Sequence, residues 1–188
     1  MVAVLAGCGD GSGGAALGPG GVERHEPNAV DAAFVRAMVP HQTAGVAIAR
    51  TAGRRAKRTE LRALGDEIAE RQAPTIGRLR DLTPGVSPRT REVPKPAPID
   101  PRGLRDPVSF DHQFMTTMIR HHEDAIALAE LQQDRGGDDR IKRVAKEIFE
   151  SQKRELEKLK RFLRTWYGTD GYEGPGGAAP PGGGDPDT

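Results

Sequence analysis

Cysteine is almost missing from this sequence of 188 residues, which holds one, Cys8. A single thiol excludes an intrachain disulfide and excludes zinc sites built from several thiolates. Aromatic residues are scarce at 4%, too few for a platform that stacks single-stranded nucleic acid. Charge excess of either sign is also lacking, with 28 basic residues against 27 acidic ones and a formal net charge of +1. No global field therefore draws the chain towards nucleic acid or acidic substrates. No run approaches the roughly 20 apolar residues that span a bilayer, so any membrane attachment is expected through an anchor.

What the chain has in quantity is glycine and proline, 24 and 15 residues, beside only 36% hydrophobic residues. Much of it is therefore not packed, and the core must come from a subset. Residues 9–27 are glycine-rich and aperiodic, which reads as a flexible tether. Residues 168–188, ending in "GYEGPGGAAPPGGGDPDT", read as a disordered tail with too little apolar surface to order itself. A proline-rich stretch, residues 83–107, divides the remainder into two halves, 28–82 and 108–167.

Cys8 gains meaning from its neighbours. The chain opens "MVAVLAGCGDGSGG", and Leu5-Ala6-Gly7-Cys8 resembles the lipobox of bacterial lipoproteins, where the signal peptide is removed and the cysteine becomes the lipid-modified first residue. The apolar run is shorter than the usual h-region of roughly 7 to 15 residues and lacks a charged n-region, so residues 1–8 read as the remnant of a signal peptide. The expectation is an exported protein held on the cell membrane by lipidated Cys8 and facing the extracytoplasmic side. The alternative is a disordered N-terminus with a chance cysteine.

The two halves are copies of one another. A shift of 80 positions aligns Asp31 with Asp111, Phe34 with Phe114, Met38 with Met118, His41 with His121 and Ala49 with Ala129. The register persists through Glu67 and Glu147, Ile68 and Ile148, Gln72 and Gln152, and Leu79 and Leu159. Such a duplication, with no insertion, bounds the fold before any local reading. Each half carries two helical patterns. In the second, Phe114, Met118, His121, Ala125 and Leu128 alternate at spacings of four and three beside a parallel row of Met115, Ile119, His122, Ile126 and Ala129. Asp111 or Ser109 is expected to cap that helix, and "DRGGDD" (residues 134–139) to stop it and begin the next. Two antiparallel hairpins with apolar faces too wide for their own partners predict an all-α four-helix bundle.

The apolar stripes are interrupted at one height. If the chain reverses near Gly136 and Gly137, Gln152 comes level with His121 and His122, Glu155 level with Met118, and in the first half Gln72 level with His41 and Gln42. Buried polar groups left unpaired cost roughly 1 to 3 kcal/mol each, so this layer must bond to itself, to water or to an ion. One reading is architectural, with the layer fixing how the hairpins pair. Another is a metal site: Met118 with His121 or His122 can chelate from one helix, and imidazole with thioether suits copper, Cu(I) in particular. Met38 and His41 would then form a second, poorer half-site. A third reading is a bundle that responds to mild acid through its histidines. Glu-x-x-His occurs on no helix, which argues against a di-iron centre. No nucleophile with a base partner is evident, so the expectation is a protein that is not an enzyme.

The stretches "FDHQFMTTMIRHHEDAIALAE" and "IFESQKRELEKLKRFLRTWYG", with their diverged copies "VDAAFVRAMVPHQTAGVAIARTA" and "IAERQAPTIGRLRDL", resemble the bacterial family known as domain of unknown function 305. The resemblance implies a ferritin-like four-helix bundle, exported or lipid-anchored, with a link to copper in some members. With the polar layer above, the metal reading takes Met118, His121, His122, Met38 and His41 as ligands, with Gln72, Gln152 and Glu155 behind them. Four departures stand out: Gln42 replaces the second histidine of the first copy, and Ile48, Leu128 and Leu159 stand where methionine is common. Pro40 fits the family pattern and removes a hydrogen bond to the carbonyl of Arg36, which predicts a bend.

Overall fold

Asn28 begins the first helix because its side chain replaces missing helical acceptors. Its Oδ1 accepts from Val30 N at 2.8 Å and Asp31 N at 3.1 Å, while Asp31 accepts from Asn28 N at 2.6 Å. This reciprocal box satisfies donors that a bare helix end would leave open. The structure, a computed structural model, describes residues 27–82 and 110–169. The readings of Cys8, the tether, the proline-rich linker and the tail lie outside the described residues.

Four helices follow in order: α1 (Ala29–Arg55), α2 (Thr59–Leu82), α3 (Phe110–Arg135) and α4 (Asp139–Tyr167). α1 runs unbroken through Pro40. α4 starts on Asp138, whose side chain accepts from Arg140 N at 2.8 Å, and stops at Gly168, whose φ of 69° suits a residue without a Cβ. α1 packs on α2 and α3 on α4 as hairpins, which join mainly through α1 and α3. The architecture is the all-α four-helix bundle that the duplicated pattern predicts. Among the described residues no helix is long and apolar enough to cross a membrane.

The apolar core forms two clusters. One gathers Phe110, Phe114, Met115, Met118, Leu61, Ile68 and Leu159, and the other Phe34, Val35, Met38, Leu79, Ile141 and Ile148. Burying such side chains contributes roughly 1.5 to 3 kcal/mol apiece. Paired residues of the two copies, Phe34 and Phe114 or Met38 and Met118, fall in different clusters. This is the arrangement of a pseudo-twofold axis that exchanges one hairpin for the other.

Twin contacts confirm the axis. Asp31 accepts from the backbone N–H of Gly137 at 2.9 Å and Asp138 at 3.1 Å, in the turn of the opposite hairpin. Asp111, its copy, accepts from Lys57 N at 3.0 Å and Arg58 N at 3.2 Å, the equivalent positions of the other turn. The expectation that Asp111 caps its own helix is thus corrected. It lies in the first turn of α3, and the open N–H groups of the opposing turn reach it instead, while Ser109 lies outside the described residues. On the surface, Arg78 pairs with Glu147 and Lys158 with Glu67, again one contact in two copies.

Candidate metal layer

The polar layer is built from all four helices. On the axis, the rings of His41 and His121 stack at 3.8 Å between centroids with 2° between their planes. His41 Nε2 lies 2.9 Å from the carbonyl oxygen of His121. A carbonyl only accepts, so His41 Nε2 carries the proton and donates it. Two stacked, buried imidazoles cannot both be charged. Burial depresses the pKa of His41 against a smaller raising effect of that bond. Burial, with His41 and His122 as neighbours, pushes His121 down to about 2. His121 is therefore neutral throughout the physiological range, and its Nε2 has no hydrogen-bond partner.

Beside it, Gln72 is 3% exposed, and neither its amide oxygen nor its nitrogen has a partner. A Cβ placed on Gly45 of α1 would strike both Gln72 Oε1 and His121 Nε2, so these atoms face the space that the glycine leaves. Gln152 is occupied elsewhere: its Nε2 donates to Gln42 Oε1 at 3.1 Å, across from α4 to α1.

His122, fully buried, places Nε2 2.9 Å from Glu155 Oε2. The two atoms are in contact without hydrogen-bond alignment, and His122 Nδ1 is also unpartnered. Glu155, 2% exposed, has Arg71 Nε 3.1 Å from its other oxygen, and Arg71 continues to Glu67 at 2.6 Å and Glu67 to Lys158 at 2.8 Å. A charged chain thus runs from the surface to the buried imidazole.

The expected residues are therefore distributed unevenly. His41, His121 and Gln72 are brought together, His122 meets Glu155, and Met118 and Met38 are fully buried in separate apolar clusters. The hairpin arithmetic set Gln152 against the histidines, but Glu155 is the residue that touches His122. Helical side chains lean towards their own N-terminus, so His122 leans away from the turn and Glu155 towards it. Their tips meet although Glu155 lies a turn farther along. Sequence reasoning missed Gly45 as part of the layer, for which an isolated glycine in an apolar helical stripe is the available signal. It also missed Arg71, which carries none. Among the described residues no three His, Cys, Asp or Glu side chains come together to hold an ion. An ion here would draw on thioether or amide donors as well.

The bundle has solved counterparts. CopM in its Cu(I)-bound form shares 26% identity and a TM-score of 0.63, covering 73% of this chain and 97% of that one. CopM in an Ag-bound form matches equally, with 26% identity, a TM-score of 0.63, and coverage of 73% and 96%. A DUF305 protein of Streptomyces coelicolor, described as secreted, shares the fold at 22% identity and a TM-score of 0.58, covering 77% of this chain and 98% of that one. No curated protein matches the sequence. The family described as "Domain of unknown function (DUF305)" matches residues 31–95 and 111–185, two segments that start on the twin aspartates, and the chain belongs to that family.

Proposed function

We propose that this chain is an exported, lipid-anchored helical bundle that binds a soft metal ion, copper(I), in its buried Met/His layer. His121 carries the reading. A metal takes an imidazole only when the nitrogen is unprotonated, and His121 is a buried, neutral imidazole whose Nε2 has no other partner. Met118 and His122 stand within one helical turn of it on α3, and imidazole with thioether is a donor set that suits Cu(I). Met38 and His41, in the other copy, offer the poorer half. Stacked on His121, His41 orients the ring, and Glu155 does the same for His122. Likeness to CopM, solved with Cu(I) and with Ag, supports the same reading. Bound copper would be held as cargo away from water, and nothing in the layer calls for catalysis.

Titrating the full chain with Cu(I) against a chromogenic chelator tests this. Wild type is expected to compete for the ion, and the His121→Ala, His122→Ala double variant to lose that competition. Equal, weak binding by both would overturn the reading. Binding at a hundred times Kd should also stabilise the fold by about 2.7 kcal/mol, read as a rise in Tm.

Export and anchoring rest on Leu5-Ala6-Gly7-Cys8 followed by a glycine-rich stretch. Mass spectrometry of the native N-terminus should find Cys8 first and acylated, and an unmodified Cys8 inside a longer chain would contradict it. A second reading has a specific observation behind it: Gln42 and Gln152 bond across the hairpins, as a purely architectural layer would. In that case wild type binds no copper, and apolar replacements of His121 and His122 leave the fold intact.

A further inference from the structure

Resting on the metal reading above, we infer that the ion occupies the notch left by Gly45, between Nε2 of His121 and the amide oxygen of Gln72. Gly45 lies deep inside α1, where glycine is less stable than alanine, so its presence calls for a reason. The other copy carries Ala125 at the equivalent position, fully buried, so the bundle accepts a methyl group there. In the first copy that methyl would collide with Gln72 Oε1 and His121 Nε2. Both atoms are buried and neither has a partner. Gln152, the copy of Gln72, donates its amide nitrogen to Gln42 and leaves only Oε1 unpartnered, whereas both amide atoms of Gln72 lack a partner. Unpaired buried polar atoms are costly, and here they come from separate helices and converge on one vacated position.

The chemistry fits a metal ion. With its proton on Nδ1, His121 would present a lone pair at Nε2, and the Gln72 amide would supply an oxygen donor beside it. Gln72 is thereby a ligand instead of a support for the histidines, and Gly45 sets the room available. The other occupant able to satisfy the same atoms is an ordered water.

The test uses the full chain, Cu(I) and a competing chelator. Gly45→Ala and Gln72→Leu should each weaken Cu(I) binding by about tenfold or more, since loss of a ligand should cost at least what loss of a group behind one does. Gln72→Glu, which keeps an oxygen and adds charge, should bind at least as tightly as wild type. In the metal-free chain, Gln72→Leu should raise Tm by about 3 °C, because two orphaned polar atoms are removed. If Gly45→Ala fails to fold, the Gln72 pair decides. If wild type binds Cu(I), loses it with His121→Ala, and keeps it in all three notch variants, a water fills the notch and this inference falls while the metal reading stands. If wild type binds no Cu(I), both fall.

Discussion

The ends of the bundle and its middle have followed different rules since the duplication. At the ends the copies still make matching contacts: Asp31 and Asp111 each hold the opposite turn, and Arg78 with Glu147 mirrors Lys158 with Glu67. In the middle they part. Gln42 faces His122, Gly45 faces Ala125, Arg71 faces Ser151 and Thr75 faces Glu155 across the shift of 80 positions. Most other paired core positions keep their residue or exchange one apolar side chain for another. Contacts that hold a fold are needed twice in a twofold object, whereas one ion off the axis needs only one set of ligands. The asymmetry of the middle is what the proposed metal site would require.

Breaking the symmetric ends should cost most. Asp31→Ala leaves the N–H groups of Asn28, Gly137 and Asp138 and the Gln132 amide without their acceptor. It should lower stability by about 3 kcal/mol in urea denaturation, and Asp111→Ala, with fewer partners, by about 2 kcal/mol. A larger loss at Asp111 would upset the ranking. Burial pushes the Asp31 carboxyl up, but its hydrogen bonds outweigh that and hold it below the ordinary 3.8. Its contribution is therefore present above the unfolded pKa and lost as pH falls through the lower folded value, and Asp31→Asn should flatten that acid limb.

The middle sets the response at milder pH. His121 is pushed down to about 2 and stays neutral while the unfolded chain gains protons, and His41, also depressed below 6.5 by burial, takes up its proton later than the unfolded chain does. The metal-free protein should lose stability as pH falls from 7.5 to 5.5, by about 1 kcal/mol through His121 and by a further amount in the same direction through His41. A midpoint that does not move would contradict the buried stack.

Making the middle symmetric is the sharper comparison. His122→Gln with Glu155→Thr rebuilds the second copy on the plan of the first and removes both partners of a buried His–Glu contact. Stability should stay within about 1 kcal/mol of wild type, since such pairs contribute little net, while Cu(I) affinity falls. The smallest effect belongs to the surface twins. Glu147→Gln should cost about 0.5 kcal/mol in a double-mutant cycle with Arg78, fading in salt, because both partners are half exposed.

The architecture was legible because apolar spacing and an exact repeat leave few ways to pack two hairpins. The contacts that lock it were not. Asp111 looks like an ordinary helix cap in sequence, and only the crossing of the hairpins sends it, like its copy Asp31, to the opposite turn. Within the layer, His41 and His121 were legible as a repeated pair, but their stacking is a property of the axis. Glu155 was displaced by a turn because residue counting ignores the lean of helical side chains. Gly45 passed as a gap in a stripe, since an absent Cβ matters only once its neighbours are known.

Copper binding here turns on one nitrogen, His121 Nε2, and long-range 15N–1H correlation spectra of the histidine rings observe it directly. The His121 ring should stay neutral down to pH 5 in the metal-free chain, and its Nε2 resonance should shift when one equivalent of Cu(I) is added. A His121 ring that gains a proton near pH 6.5, with a resonance indifferent to Cu(I), would contradict the metal reading.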